Sequence, residues 1–313
     1  MSLLKLGICP SLDKEALDKL KSKNICRITE FICKDPEDIA QLTGVNYKDV
    51  VTIRNVILAK YSCISVNGCD FYNSVVESTT ILSTGIKSLD NLLDGGLYTG
   101  DVTEIAGDIA AGKTQICLNV CAATAQQRNQ TVVYIDTGAA FSASRVLQMV
   151  TDSSSVQEEI LTRIQVYDAF TVHDVFGVID SIEHSIQTAR DPFYNQLKLI
   201  IVDNIAAVVY PFLGGNSFSE NQGLLSLLGQ KLKSLAAVYS VAILVTNNLV
   251  RGESGIKTAS LGRLWSHISH VRCIIADSDN YIDGRRNLSV VKNSRGVCNT
   301  CGQINIQENG PIT

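Results

Sequence analysis

The chain of 313 residues predicts an α/β fold, a mostly parallel central sheet with helices on both faces, preceded by a small all-α domain. Three observations predict it. Apolar runs at residues 131–135, 164–167, 197–202 and 241–245 alternate with helical stretches at 144–150, 172–187 and 223–239. Short continuous aliphatic runs are what strands covered on both faces require. A glycine-rich loop, Gly107-Asp108-Ile109-Ala110-Ala111-Gly112-Lys113-Thr114, joins the β-prone residues 102–106 to an unbroken helix-forming stretch at 115–123. Finally, residues 1–60 carry helix start signals and no strand pattern.

Taken in order, Ser11 is an N-cap for a first helix whose apolar face holds Ala16, Leu17 and Leu20. A second helical segment opens near Thr29. Asp35-Pro36-Glu37 opens a third, with proline in the first turn. Gly44 then separates it from a helix over 47–58. The segment 1–60 has ten basic and eight acidic residues, so it is weakly basic while the remainder is acidic. Such a bundle serves either to dock a protein or to touch DNA. Residues 61–82 show no sustained period and are rich in Ser, Thr and Asn, which reads as a linker. Its Val66, Phe71 and Tyr72 either dock onto a neighbour or pack back on this chain. The α/β core runs from 83 to 313. After residues 271–275 the pattern alternates more and predicts an antiparallel edge. No tandem repeat is visible.

Composition bounds the function. A hydrophobic fraction of 45% with 19% charged residues is that of a globular protein with a substantial core. A net charge of −4 means that any nucleic-acid contact must come from a local basic patch. The opening residues lack a signal-peptide pattern, and no apolar run reaches membrane-spanning length. Ten cysteines, three of them (Cys117, Cys121 and Cys273) inside core-like runs, suit reduced thiols in cytosol or nucleus. Cys298 and Cys301 form a lone C-x-x-C with no second pair at zinc spacing, and they read as flanks of a hairpin turn.

The loop from Gly107 to Thr114 is a complete G-x-x-x-x-G-K-[ST] phosphate-binding pattern. Its glycines let backbone N–H groups wrap a polyphosphate at a helix N-terminus. Lys113 then reaches the β- and γ-phosphates, and the Thr114 hydroxyl ligates Mg²⁺. Asp203 ends the aliphatic run 197–202, where its carboxylate can hold the water shell of Mg²⁺. Together these residues predict binding of a nucleoside triphosphate with magnesium.

Residues 95–100 (G-G-L-Y-T-G), then Thr103-Glu104-Ile105 and the run Gly112 to Cys117, resemble the ATPase core of the eukaryotic RecA-type recombinases. Residues 83–90 resemble the segment that family carries just ahead of its core. Residues 261–266, Lys292-Asn293-Ser294-Arg295 and Leu213-Gly214-Gly215 look most like the paralogue branch of that family, specifically its D class. The resemblance implies a RecA-like ATPase core over 83–313 and Gln115 beside the nucleotide. It also implies Arg145 against the adenine and Asn248 sensing the γ-phosphate. Loops at 214–222 and 249–258 would face single-stranded DNA, with Arg251, Lys257, Arg263 and Arg272 on phosphates and Phe218 or Trp265 on bases; against this, Glu220 and Glu253 oppose the basic residues, and Trp265 between Leu264 and Ile268 reads equally as core. It implies a nuclear protein of homologous recombination repair that assembles with other paralogues, the C paralogue through the core. The N-terminal domain and linker would hold a small partner subunit.

One departure matters. Where the recombinases carry D-T-E-G after the second strand, with a glutamate that polarises the attacking water, this chain reads Asp136-Thr137-Gly138-Ala139. Phosphoryl transfer to water needs a group that orients the nucleophile, and Gly138 supplies none. The expectation is nucleotide binding with slow or partner-dependent hydrolysis. The rivals are an autonomous DNA-stimulated strand-exchange ATPase and a structural subunit stiffened by bound ATP.

Overall fold

The computed structural model describes residues 4, 7–61, 65–150, 154–213, 218–251, 255, 257–277, 284–307 and 310–312. Its contacts divide the chain into two units, residues 1–74 and 75–313. In the first, helices α1 (Lys14–Ser22), α2 (Ile28–Cys33), α3 (Pro36–Thr43) and α4 (Tyr47–Tyr61) close on a core that includes Leu20, Phe31, Ile39 and Ile53. Val50, Ile53 and Ile57 recur at helical spacing, so one face of α4 is buried along its length. The cap of α1 is Asp13 rather than Ser11, its carboxylate accepting the Ala16 N–H at 2.7 Å. Leu12 is buried in the core, so the first turn starts after it. Asp35 and Pro36 open α3, and Gly44 closes it in the left-handed region at φ 69°.

The segment read as a linker holds a helix, α5 (Gly68–Ser78), with no buried residue. Local chemistry starts it: the Asn67 side-chain oxygen accepts the Cys69 and Asp70 N–H groups at 3.0 and 2.9 Å. Phe71, Tyr72 and Val76 stand exposed on it.

The second unit begins with β1 (Ile81–Leu82), α6 (Lys87–Leu92) and β2 (Leu97–Tyr98), in which β1 and β2 pair antiparallel. Then follow β3 (Val102–Gly107), α7 (Lys113–Gln126), β4 (Thr131–Asp136), α8 (Ala143–Met149), α9 (Ser154–Thr162), β5 (Ile164–Asp168), α10 (Val172–Thr188) and α11 (Pro192–Asn195). The chain continues through β6 (Leu197–Asp203), α12 (Ile205–Leu213), α13 (Phe218–Tyr239), β7 (Ala242–Arg251), β8 (Lys257–Ala259) and α14 (Gly262–Ser266). It ends with β9 (Val271–Asp277), β10 (Arg285–Asn293), β11 (Thr300–Gln307) and β12 (Gly310–Ile312).

The main sheet runs β12-β11-β10-β9-β3-β7-β6-β4-β5, with β8 attached to β7. From β9 through β3, β7, β6 and β4 to β5 the neighbours are parallel, and from β9 outward to β12 they are antiparallel, as the pattern predicted. Successive side chains on a strand face opposite ways, so each central strand feeds two cores. Val132, Tyr134, Leu199, Ile201 and Leu244 pack with α7 on one face. Val133, Ile135, Ile200, Val202 and Ile243 pack with α10, α12 and α13 on the other. This double covering is what the uninterrupted aliphatic runs encode.

α13 starts at Phe218, five residues ahead of the helix read from sequence. Of the first loop expected to face DNA, residues 214–217 lie outside the described part, as does the side chain of Phe218. Trp265 of α14 is fully buried in the core that α13 also faces, so the indole is not open to base stacking. Cys298 and Cys301 lie in the connection and opening of the β10–β11 hairpin, both exposed and free.

His270, just before β9, clamps the start of β3. Its N–H donates to the Val102 carbonyl at 2.8 Å, and its Nδ1 accepts the Val102 N–H at 2.9 Å. An accepting Nδ1 requires the neutral ring. Burial holds its pKa below the ordinary histidine value; Lys233, Lys292 and Arg295 push the same way, while Asp101 pulls upward. The unfolded chain therefore takes up this proton at higher pH than the folded one, and the contribution of His270 is lost as pH falls below about 6.5. Thermal unfolding of wild type and His270→Gln across about pH 7.5 to 5.5 should show the wild-type advantage shrinking as acid is added. An advantage that grows would mean that the imidazolium is the folded form.

Candidate nucleotide-binding site

β3 is fully buried and delivers Gly107 into the loop; α7 receives the chain at Lys113. The two glycines of the pattern are needed for close approach. A Cβ on Gly107 would lie 2.4 Å from the Ile275 side chain of β9. Gly112 stands at φ 102°, and a Cβ there would lie 2.1 Å from Ile306 of β11. The C-terminal strands therefore press the loop into shape from outside. Ala110, inside it, also adopts positive φ at 63°.

Around the loop opens a cleft of 280 Å³ lined by Ile109, Ala110, Lys113, Thr114, Thr137, Gly138, Ala140, Asp203, Asn204, Ala207 and Asn248. The sequence-read site residues Lys113, Thr114, Asp203, Gly138 and Asn248 thus converge in one place. Lys113 is nearly buried, its Nζ donating to the Gly107 and Asp108 carbonyls at 2.8 and 2.7 Å. Burial lowers its pKa, and the nearby carboxylates of Asp203 and Asp108 raise it in opposition. The first N–H groups of α7 have no intrahelical partner and point with the helix dipole into the cleft.

Asp203 ends β6 beside Thr114, and its oxygens accept from Tyr134 Oη at 2.9 Å and from Thr246 Oγ1. A carboxylate held by two hydroxyls reaches a cation best through water. Among the described residues no group of three His, Cys, Asp or Glu side chains could hold a metal. The donor set thus fits a hard cation with one hydroxyl, bridging water and ligand phosphates, the habit of Mg²⁺.

Among the described residues, the carboxylates of Asp136 and Glu104 are engaged away from the cleft. Gly138 lines the cleft, and a Cβ added there meets nothing within 4 Å. Asp136 turns both oxygens back into its own loop, accepting the Gly138 N–H at 3.0 Å and the Phe141 N–H at 2.7 Å. Glu104 is fully buried and bound to Arg272, whose Nη2 and Nε lie 2.7 and 2.8 Å from one carboxylate oxygen, while Asn247 Nδ2 donates to the other at 2.7 Å.

That last contact corrects the expectation for Arg272, which sits inside the fold and offers no guanidinium to DNA. β9 pairs Arg272 directly opposite Glu104, and a buried carboxylate recruits it. The other expected cations lie elsewhere. Arg251 and Arg263 are exposed, and Lys257 pairs with Asp108 of the loop. Residues 252–254 and 256 of the second loop lie outside the described part, while Arg251 of β7 and Lys257 of β8 are strand partners. Arg145 stands near the start of α7, its Nε donating to Gln115 at 2.8 Å and its Nη2 to the Gln307 carbonyl at 2.9 Å. Asn248 Oδ1 accepts from Asn204 Nδ2 at 2.8 Å, which orients it at the cleft.

The sequence reading missed two arrangements. Thr137 staples β4 to β6, its hydroxyl donating to the Asn204 carbonyl at 2.8 Å and accepting the Asn204 N–H at 2.6 Å. The second is the chain Arg272–Glu104–Asn247, completed where Ser260 Oγ donates to Asn247 Oδ1. Its only signal was a pair of opposite charges isolated in apolar strands.

Comparison with known proteins places the chain. Residues 76–308 match the family model described as Rad51, and residues 1–60 match that described as RAD51D, N-terminal domain. The chain is 41% identical over 279 residues to the Bos taurus protein named DNA repair protein RAD51 homolog 4, covering 88% of this chain and 85% of that one. The Mus musculus protein of the same name is 39% identical, covering 88% and 84%. The DNA repair and recombination protein RadA of Aeropyrum pernix is 25% identical over 249 residues, covering 77% and 75%.

Because Arg272 answers a fully buried carboxylate, Arg272→Ala, which leaves Glu104 without its cation, should destabilise the second unit by about 3–5 kcal/mol in chemical denaturation. The double variant Arg272→Ala/Glu104→Gln should recover part of the loss. A neutral Arg272→Ala would show that the pair contributes nothing.

Proposed function

The chain belongs to the Rad51 family of DNA repair and recombination proteins, and from that premise we propose that it is a nucleotide-holding recombinase paralogue: it binds MgATP in the cleft at Lys113, turns it over slowly alone, and uses it to organise partner subunits. The observation that carries this reading is Gly138, a glycine in open space where water must be activated, with Asp136 and Glu104 both committed elsewhere. Bound MgATP would supply an anhydride open to in-line attack by water. This chain's own residues hold and orient: Lys113 and the α7 N-terminus meet the phosphates, Thr114 and water-bridged Asp203 serve Mg²⁺, and Arg145 with Gln115 faces the base. Asn248, oriented by Asn204, stands at the γ-phosphate side.

The same reading assigns the core to the C paralogue and the N-terminal helical domain with the following segment to a small partner subunit. The separately cored first unit and the exposed Phe71, Tyr72 and Val76 of α5 support it. Arg251 and Arg263 are the cations left for single-stranded DNA, and free cysteines suit the nucleus.

Two variants test the proposal. Lys113→Ala should weaken MgATP binding by at least about tenfold, measured by equilibrium binding, since a charge-assisted phosphate contact is worth about 1.5–3 kcal/mol. Gly138→Glu should raise turnover by about tenfold or more, because a positioned base contributes about 10²–10⁴-fold. Robust turnover by the isolated wild-type chain would overturn the reading. Loss of partner binding in Lys113→Ala, with no turnover in any assembly, would favour a purely structural nucleotide.

A further inference from the structure

Asn248 lines the cleft, and its register partner on β3 is Gly107, the first residue of the phosphate-binding loop. Gly107 also offers its carbonyl to Lys113 Nζ, so the carboxamide and the ammonium group flank the same loop residue. A carboxamide has two unlike faces: its oxygen accepts and its NH2 donates, and only the NH2 suits a phosphate. Asn204 decides which face the cleft receives. Its Oδ1 accepts the Ala206 N–H at 2.9 Å, at the start of α12, which leaves Nδ2 to act outward. That Nδ2 donates to Asn248 Oδ1 at 2.8 Å. The oxygen of Asn248 is thereby engaged, and its Nδ2 has no partner among the described residues. Both backbones are tied as well. Thr137 Oγ1 holds the Asn204 carbonyl and N–H at 2.8 and 2.6 Å. The Asn248 N–H donates to Asn247 Oδ1 at 2.8 Å, and its carbonyl accepts the Ser260 N–H at 2.9 Å.

We propose that Asn204 is a positioning residue for the terminal phosphate: it holds Asn248 with the oxygen turned back and the NH2 outward, which favours a nucleoside triphosphate over the diphosphate. This rests on the nucleotide-binding reading above. Donation runs one way along the relay, from the α12 backbone to Asn204, from Asn204 to Asn248, and from Asn248 to phosphate oxygen. Asn204→Asp keeps the shape and still accepts the Ala206 N–H, but it has no proton for Asn248. Asn248 would then turn its NH2 inward to that carboxylate and leave its own oxygen facing the phosphate, an acceptor against an acceptor.

The experiment measures equilibrium affinity of the full chain for MgATP and MgADP in wild type, Asn204→Asp, Asn248→Ala and their double variant, with thermal unfolding of each as a folding check. Asn204→Ser is added as a neutral change that keeps a cap for α12. Asn204→Asp and Asn248→Ala should each weaken MgATP by about tenfold or more and MgADP by less than about twofold, since a hydrogen bond to a charged group is at stake. Asn204→Ser should show a smaller loss of the same kind, which separates the lost donor from the added charge. With Asn248→Ala already in place, Asn204→Asp should cost MgATP no more than it costs MgADP, because the relay has lost its last member. If MgATP and MgADP weaken together in Asn204→Asp and Asn204→Ser, or neither weakens, Asn204 does not position the terminal-phosphate contact. If the full loss persists in the Asn248→Ala background, Asn204 acts by charge alone and the relay is wrong. Either result leaves the nucleotide reading standing. Failure of wild type to bind MgATP would overturn that reading and this inference together.

Discussion

A single buried carboxylate organises this molecule's working end. Glu104 has no exposure to solvent, and an ionised group in that position survives only if its oxygens are fully answered. Arg272 answers from β9 with two N–H groups, and Asn247 answers from β7. Asn247 in turn accepts from Ser260 and from the backbone of Asn248. One charge thus fixes the relative register of β3, β7 and β9, and it anchors the return of the chain from β8. The phosphate-binding loop leaves from β3, the cleft asparagine sits on β7, and the strand that shapes Gly107 is β9. Misplacing this carboxylate would misplace all three. The arrangement is also why an arginine in an otherwise apolar strand cannot be read as a DNA contact from its charge alone.

The described acidic groups around the cleft serve the fold. Asp136 closes its own loop, Glu104 locks strands, Asp203 accepts two hydroxyls, and Asp108 is paired with Lys257. The cleft wall opposite the loop is made of Thr137, Gly138 and Ala140, which bring no proton acceptor stronger than a hydroxyl. Lys113 and the start of α7 face the same cleft from the side of the loop.

Much of the fold was legible because burial on both faces leaves a strong trace. Strands 131–135, 197–202 and 241–245 were visible as aliphatic runs, and the antiparallel edge as the return of alternation. The phosphate loop was legible because its geometry demands particular residues at fixed spacing. What escaped had a different physical basis. α5 forms from a local Asn67 cap with no buried face, so periodicity could not reveal it. The cap of α1 depended on the burial of Leu12, a tertiary fact. Trp265 carries one aromatic pattern whether it faces bases or the core, and only the packing of α14 on α13 separates the two. The pairings Glu104–Arg272 and Asp108–Lys257 join residues 168 and 149 positions apart, and no local rule reaches so far.

The contacts of Ile275 and Ile306 with the two loop glycines bear on the order in which the protein is made. The loop is synthesised well ahead of its outer wall, which β9 and β11 supply from far downstream in the chain. During synthesis the glycine-rich segment emerges without the walls that force it to curl, and it takes its shape only after β9 and β11 have followed it. A chain that stopped ahead of β11 would keep the glycine-lysine motif and lack the Ile306 wall against Gly112. The motif precedes its mould, and β9 and β11 decide whether it has a shape.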